Sequence, residues 1–175
     1  LAKMIELDEG FSRQRWIEWG KKVSAKPVPG ALEFFKYAAN KGVEIFYISN
    51  RYDIQLNETI KNLEVVGFPG VNKQRVLLKT NGSEKQPRRD KVLENHKVVM
   101  LLGDNLSDFL SVFRSDSIKE RNHLVDELRA EFGEKFIVLP NPMYGDWENH
   151  GIYKGKYDWS ETEKDSIRRK KLISY

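Results

Sequence analysis

Two aspartates four residues apart, Asp104 and Asp108, follow an apolar run at 98–102 and a glycine, Gly103. If a helix begins there, both carboxylates share one face, where like charges cost about 0.2–0.5 kcal/mol. On spacing alone two readings stay open. Both acids favour the positive end of a helix dipole, or they serve a hard cation such as magnesium, which prefers carboxylates and water. Upstream, Ser83-Glu84-Lys85 leads into a helical pattern that holds Arg88 and Arg89. A lysine there is either solvated or aimed at a phosphate, where it offsets charge in the transition state. A third group, Ser49-Asn50-Arg51, closes the apolar run 43–49, and the serine hydroxyl could equally satisfy a backbone group at a strand end. Beyond the last apolar run, 136–139, stand Asn141, Tyr144 and Trp147.

What positions these groups is an alternation of short apolar runs with helical stretches, which predicts an α/β fold with a parallel sheet. Ile45, Phe46, Tyr47 and Ile48 form a continuous apolar run, as in a strand buried on both faces, and 98–102 is the strongest strand pattern. Ligands bind beyond the carboxyl ends of such strands, so the polar groups above gather at one edge. Ser12 caps a predicted helix with Trp16, Ile17 and Trp19, and Pro29 suits the first turn of a second helix that Gly42 stops. Further helices are expected over 56–66 and after Asp104, through Phe109, Leu110, Val112 and Phe113, with a short strand at 76–78. Ser117 with Glu120, and Ser160 with Glu163, have the spacing of capping boxes.

The 175 residues suit one domain with a real core, at 39% hydrophobic and 32% charged. The net charge of +4 is spread among mixed signs, so a nucleic-acid polymer is not the expected partner. Without cysteine there are no disulfides or thiolate metal sites, and the redox compartment stays open. No run approaches the roughly 18 apolar residues of a membrane span.

The order of these motifs resembles the haloacid dehalogenase (HAD) superfamily and, more narrowly, the class C acid phosphatases, which include bacterial outer-membrane lipoprotein phosphatases. Five stretches carry the resemblance: Pro29-Gly30-Ala31-Leu32-Glu33-Phe34; Ile45 through Arg51; Leu77-Leu78-Lys79 with Ser83-Glu84-Lys85; Gly103-Asp104-Asn105-Leu106-Ser107-Asp108-Phe109; and Leu139 through Glu148. It implies a HAD-like Rossmannoid fold, a parallel sheet flanked by helices, as a single domain over 1–175. A small helical cap would draw on residues of about 1–28 and 140–175.

The implied activity is magnesium-dependent hydrolysis of phosphomonoesters, such as nucleoside 5′-monophosphates (a 5′-nucleotidase) and aryl phosphates. By the same resemblance Ser49, Asn50, Lys85 and Asp108 are catalytic: Ser49 hydrogen-bonds the phosphoryl group and Lys85 holds phosphate and nucleophile together. Asp104 is a magnesium ligand, and Asp108 supports the metal's water shell. Tyr144, Trp147, Arg51 and Asn105 are substrate-binding, with structural aromatics as the alternative for Tyr144 and Trp147. Trp16 and Trp19 are better suited to core packing.

The family's first motif, Asp-x-Asp-x-Thr, supplies the nucleophile, and nothing in the chain matches it; Leu7-Asp8-Glu9-Gly10 lacks a preceding apolar strand and a second aspartate. The expectation is therefore a longer polypeptide whose nucleophile and first, central strand lie upstream of Leu1. A signal or lipid anchor is possible there, with a bacterial envelope or secreted location. The alternative is a catalytically inactive HAD-like binding or storage protein.

Overall fold

A computed structural model describes residues 12–115, 117–141, 144–156 and 158–172. The acidic stretch 7–10, and Pro142 and Met143 of the last motif, lie outside the described residues. The chain divides into two compact units, Leu1–Ser83 and Glu84–Tyr175.

In the first unit, helix α1 (Arg13–Lys21) begins where Ser12 Oγ accepts the backbone N–H of Arg15 at 3.4 Å. Helix α2 (Ala31–Asn40) starts later than Pro29 suggested, because Gly30 is its N-cap at a φ of +79°, outside helical geometry. Strand β1 (Tyr47–Tyr52) and strand β2 (Val76–Lys79) pair in parallel, with Tyr47 opposite Val76 and Ile48 opposite Leu77. The register slips between Ile48 and Tyr52. Helix α3 (Leu56–Val66) ends at Gly67, as the pattern predicts.

The inner face of α3 is polar. Gln55, Thr59 and Asn62 are buried at helical spacing, and buried polar groups require partners. Gln55 Nε2 donates to the carbonyl of Trp16 at 3.4 Å, and Gln55 Oε1 accepts from the N–H of Tyr52 at 3.2 Å. Asn62 bonds both backbone groups of Ala25, each at 2.9 Å. Apolar packing sits elsewhere, around Ile45, Val76 and Leu78, with Phe35 and Tyr47 edge-on or tilted against Phe68 and each other.

In the second unit, helix α4 (Gln86–Leu93) is followed by strand β3 (Leu101–Gly103), which pairs in parallel with strand β4 (Phe136–Val138). Phe109 and Phe113 are fully buried, and Phe109 stacks on Phe136 with centroids 5.1 Å apart. Burying each ring stabilises by about 1.5–3 kcal/mol. Helix α5 (Ile118–Glu127) is capped by Ser117, while Glu120 turns its carboxylate to Ser115 Oγ instead of back to Ser117. The short helix α6 (Asp146–Asn149) precedes helix α7 (Glu161–Lys171), whose Ser160–Glu163 capping box is reciprocal.

The α/β class and parallel pairing agree with the sequence reading; three details differ. Strand β1 begins at Tyr47 and includes Ser49-Asn50-Arg51, because its ladder with β2 continues past the apolar run. Strand β3 begins only at Leu101, with Val99 57% and Met100 36% exposed, because β4 offers just three residues to pair with. After Asp104 there is no α-helix but two 3₁₀ turns, Leu106–Asp108 and Ser111–Phe113. The four strands form two separate pairs, and among the described residues no strand joins β1–β2 to β3–β4.

Candidate active site

Strand β3 delivers the chain through Gly103 to Asp104, and the next turn folds Asp108 back beneath it. Asp108 Oδ2 accepts the N–H of Asp104 at 3.2 Å and that of Asn105 at 3.3 Å. Asp108 thereby caps the turn Leu106–Asp108 at its N-terminal end, and the chain continues as 3₁₀ turns and not as the expected α-helix. Gly103 allows the close approach, since a Cβ there would lie 2.5 Å from Asp108 Cβ.

The other oxygen, Asp108 Oδ1, meets Lys85 Nζ at 2.7 Å. Both side chains are largely shielded, 20% and 11% exposed, so this charge-assisted bond is worth more than a surface pair. Lys85 stands immediately before α4. One turn on, buried Arg89 donates to the carbonyls of Asp108 at 2.8 Å and Ser107 at 3.3 Å, and to Gln86 Oε1 at 2.7 Å. Burial lowers the pKa of Arg88 and of Arg89, and the nearby Asp108 partly opposes this. Both guanidinium groups stay cationic at neutral pH.

Asp104 is held from two sides. Its Oδ1 accepts from Asn105 Nδ2 at 2.9 Å and its Oδ2 from Asn141 Nδ2 at 3.1 Å. Asn105 Oδ1 in turn accepts the N–H of Asp146 at 3.2 Å, and Asn141 Oδ1 that of Tyr144 at 3.4 Å. Tyr144 is 47% exposed; burial of its phenol, then Asp104 and Asp108, push its pKa up. Trp147 lies on α6 and is 37% exposed.

This donor set suits magnesium. Asp104 and Asp108 are hard oxygen donors, and magnesium usually takes one or two carboxylates and fills the rest with water or phosphate oxygens. Among the described residues no three His, Cys, Asp or Glu side chains gather, so these residues make no closed all-protein cage.

The second unit thus brings together Lys85, Asp104, Asn105, Asp108 and Tyr144. Ser49, Asn50 and Arg51 belong to the first unit, along β1. There Ser49 Oγ accepts the N–H of Arg51 at 3.2 Å, and Asn50 Nδ2 donates to the carbonyl of Ser83 at 2.8 Å. The Arg51 guanidinium lies over the Trp19 ring at 4.9 Å and donates to Thr59 at 3.4 Å; burial lowers its pKa. Trp16 stacks on Trp19 at 4.9 Å, but the pair is not in the core as expected: Trp16 is half-buried and Trp19 is 36% exposed.

Residues 2–147 match the family model for the HAD superfamily, subfamily IIIB (acid phosphatase). The chain belongs to that family. Among solved structures, this HAD chain is similar to the class C acid phosphatase from Bacillus anthracis, at 44% identity and a TM-score of 0.92 over 99% of this chain and 72% of that one. The tungstate-bound form of the Bacillus anthracis enzyme matches at 44% identity and a TM-score of 0.93, over 99% and 73%. Two plant proteins are also similar. The stem 31 kDa glycoprotein of Glycine max is 28% identical over 142 residues, 78% of this chain and 49% of the relative. Vegetative storage protein 2 of Arabidopsis thaliana is 26% identical over 136 residues, 74% and 43%. The chain spans less than half the length of these plant relatives.

Arg89 and the Gly145–Asp146 backbone were not among the expected site residues of this HAD chain. Arg89 was legible in principle. It falls four residues after Lys85 and three before Val92 on one helical face, so a site-facing lysine places it inward. The role of the Asp146 N–H had no such signal, because any residue except proline supplies one.

Proposed function

We propose that the chain is the greater part of a magnesium-dependent acid phosphatase acting on small phosphomonoesters. The observation that carries this reading is the Lys85 ammonium 2.7 Å from Asp108, on the turn that presents Asp104. A cation beside two carboxylates at a strand's carboxyl end matches the chemistry of an anionic ester that must lose charge repulsion before attack.

In this reading Asp104 holds the magnesium ion, with Asp108 supporting its water. The ion supplies neutralisation of charge on phosphate and nucleophile. Lys85 binds a phosphoryl oxygen while Asp108 fixes where the ammonium points. The resemblance assigns Ser49, in the first unit, to phosphoryl hydrogen bonding, Asn50 to catalysis and Arg51 to substrate. The nucleophile is an aspartate outside these 175 residues, and the phosphoryl group passes through an aspartyl-phosphate that water hydrolyses. Tyr144 and Trp147 offer half-exposed rings to an aryl or nucleoside leaving group. The tungstate of the Bacillus anthracis enzyme, a phosphate-like oxyanion, supports the ligand class. The class C resemblance supports a bacterial envelope or secreted location. Among the described residues no helix is long and apolar enough to cross a membrane.

The deciding measurement is hydrolysis of a nucleoside 5′-monophosphate by the full-length polypeptide carrying Asp104→Asn. Turnover should fall steeply; parental turnover at saturating magnesium overturns the role of Asp104.

A second reading, a non-catalytic storage protein, draws on the likeness to vegetative storage protein 2. The encoded residues before Leu1 separate the two. An apolar run followed by Asp-x-Asp-x-Thr favours the enzyme, and its absence favours storage.

A further inference from the structure

Asn105 was expected to touch substrate, yet both ends of its side chain are already engaged within the fold. The amide donor meets Asp104 Oδ1 at 2.9 Å and the amide oxygen takes the N–H of Asp146 at 3.2 Å. The orientation is not interchangeable. Rotating the amide would set oxygen against carboxylate and NH₂ against N–H, so the partners fix which end points where.

We propose that Asn105 is a positioning residue, a strut that fixes the Asp104 carboxylate at one end and the start of α6 at the other. It thereby keeps the cation-binding acid and the aromatic segment of Tyr144 and Trp147 in one arrangement. This deepens the phosphatase reading and, for its kinetic consequences, rests on it.

Three further observations support the strut. The backbone passes directly over it: a Cβ on Gly145 would overlap Asn105 Oδ1, and the φ of +149° there is itself a glycine conformation. Asn141 makes a parallel link, from Asp104 Oδ2 through its own amide to the N–H of Tyr144. Finally, α6 has only four residues, too few to hold its place by helical bonding alone. Its position is therefore imposed by contacts, and the Asp146 N–H is where Asn105 imposes it.

The strut has two separable halves, and two variants of the full-length polypeptide with magnesium separate them. Asn105→Ala removes both; Asn105→Asp keeps an acceptor for Asp146 and loses the donor to Asp104. Three quantities are read: amide exchange at Asp146, magnesium affinity by calorimetry, and KM for 4-nitrophenyl phosphate against glycerol 2-phosphate. In Asn105→Ala, exchange at Asp146 should speed up and magnesium affinity fall roughly tenfold, the lower range for losing a ligand's outer partner. KM for the aryl ester should rise about two- to tenfold, the worth of one hydrogen bond, while that for the glycerol ester holds. Asn105→Asp should keep parental exchange at Asp146 and the parental KM ratio.

Parental exchange at Asp146 in Asn105→Ala, or equal KM rises for both esters, overturns the proposal. If Asn105→Ala does not fold, lost Asp146 protection in Asn105→Asp overturns it and retained protection upholds it. If the parent hydrolyses neither ester, the phosphatase reading fails, and the exchange comparison alone decides the strut.

Discussion

Lys85 Nζ lies 2.7 Å from Asp108 Oδ1, while the other oxygen of Asp108 closes the turn that presents Asp104. One carboxylate therefore aims the ammonium and shapes the loop. Replacing Lys85 by methionine should leave the turn intact and remove only the cation. The expected outcome, in the full-length polypeptide, is a loss in kcat/KM of about 10²–10³, the range for one electrostatic stabiliser, with Lys85→Arg recovering part of it. A loss under tenfold would remove Lys85 from the phosphoryl site.

Gly103 tests the same loop from beneath. An alanine Cβ would press on Asp108 at 2.5 Å from its Cβ and 2.7 Å from Oδ2, so the acid must move. A displacement near 1 Å costs about a hundredfold in rate. Gly103→Ala should lower kcat/KM by about that factor and shift the magnesium concentration for half-activity upward. Unchanged magnesium dependence would mean that the loop absorbs the methyl elsewhere.

Arg89 should matter for stability as well. Its buried guanidinium serves two carbonyls, those of Ser107 and Asp108. Arg89→Met leaves both without that donor, and each stranded group costs about 1–3 kcal/mol. Urea denaturation should show a loss of about 2–6 kcal/mol; a change below about 0.5 kcal/mol would show that the loop stands without it.

Tyr47 gives the first unit a pH signature. Its phenol donates to the carbonyl of Pro69 at 2.6 Å, and burial pushes its pKa up to about 12, with Arg75 pulling the other way. The folded value lies above the usual one near 10. The stabilisation is therefore complete below about pH 10 and fades as pH climbs through about 12. Tyr47→Phe should be less stable than the parent at neutral pH, with the gap closing over that alkaline window. A gap that stays constant from pH 9 to 12 would contradict the burial that raises the phenol's pKa.

The sequence disclosed its chemistry better than its strand boundaries. Lys85, Asp104 and Asp108 were legible through the order of the motifs they sit in, since spacing alone left each a bland reading, and the fold brings them together. Leu56–Val66 and its Gly67 stop were legible because helix ends carry their own chemistry. Strand β3 was overread: apolar content says which residues tolerate burial, while hydrogen-bonding partners set where a strand begins, and β4 reaches only Leu101. The helix after Asp104 was also misread, because the periodicity of Phe109 and Phe113 also fits successive 3₁₀ turns around one core. Asn105 was expected to bind substrate; a polar residue in a loop gives no sign of whether its partner is a ligand or the chain's own backbone.

Asn62 does for residues 22–28 what a neighbouring strand would otherwise do, gripping both the N–H and the carbonyl of Ala25. Because the grip is on main-chain atoms, the identity of the side chain at position 25 is nearly irrelevant to it. The one residue type the tether excludes at that position is proline, which has no hydrogen to offer and would cut the tether in half.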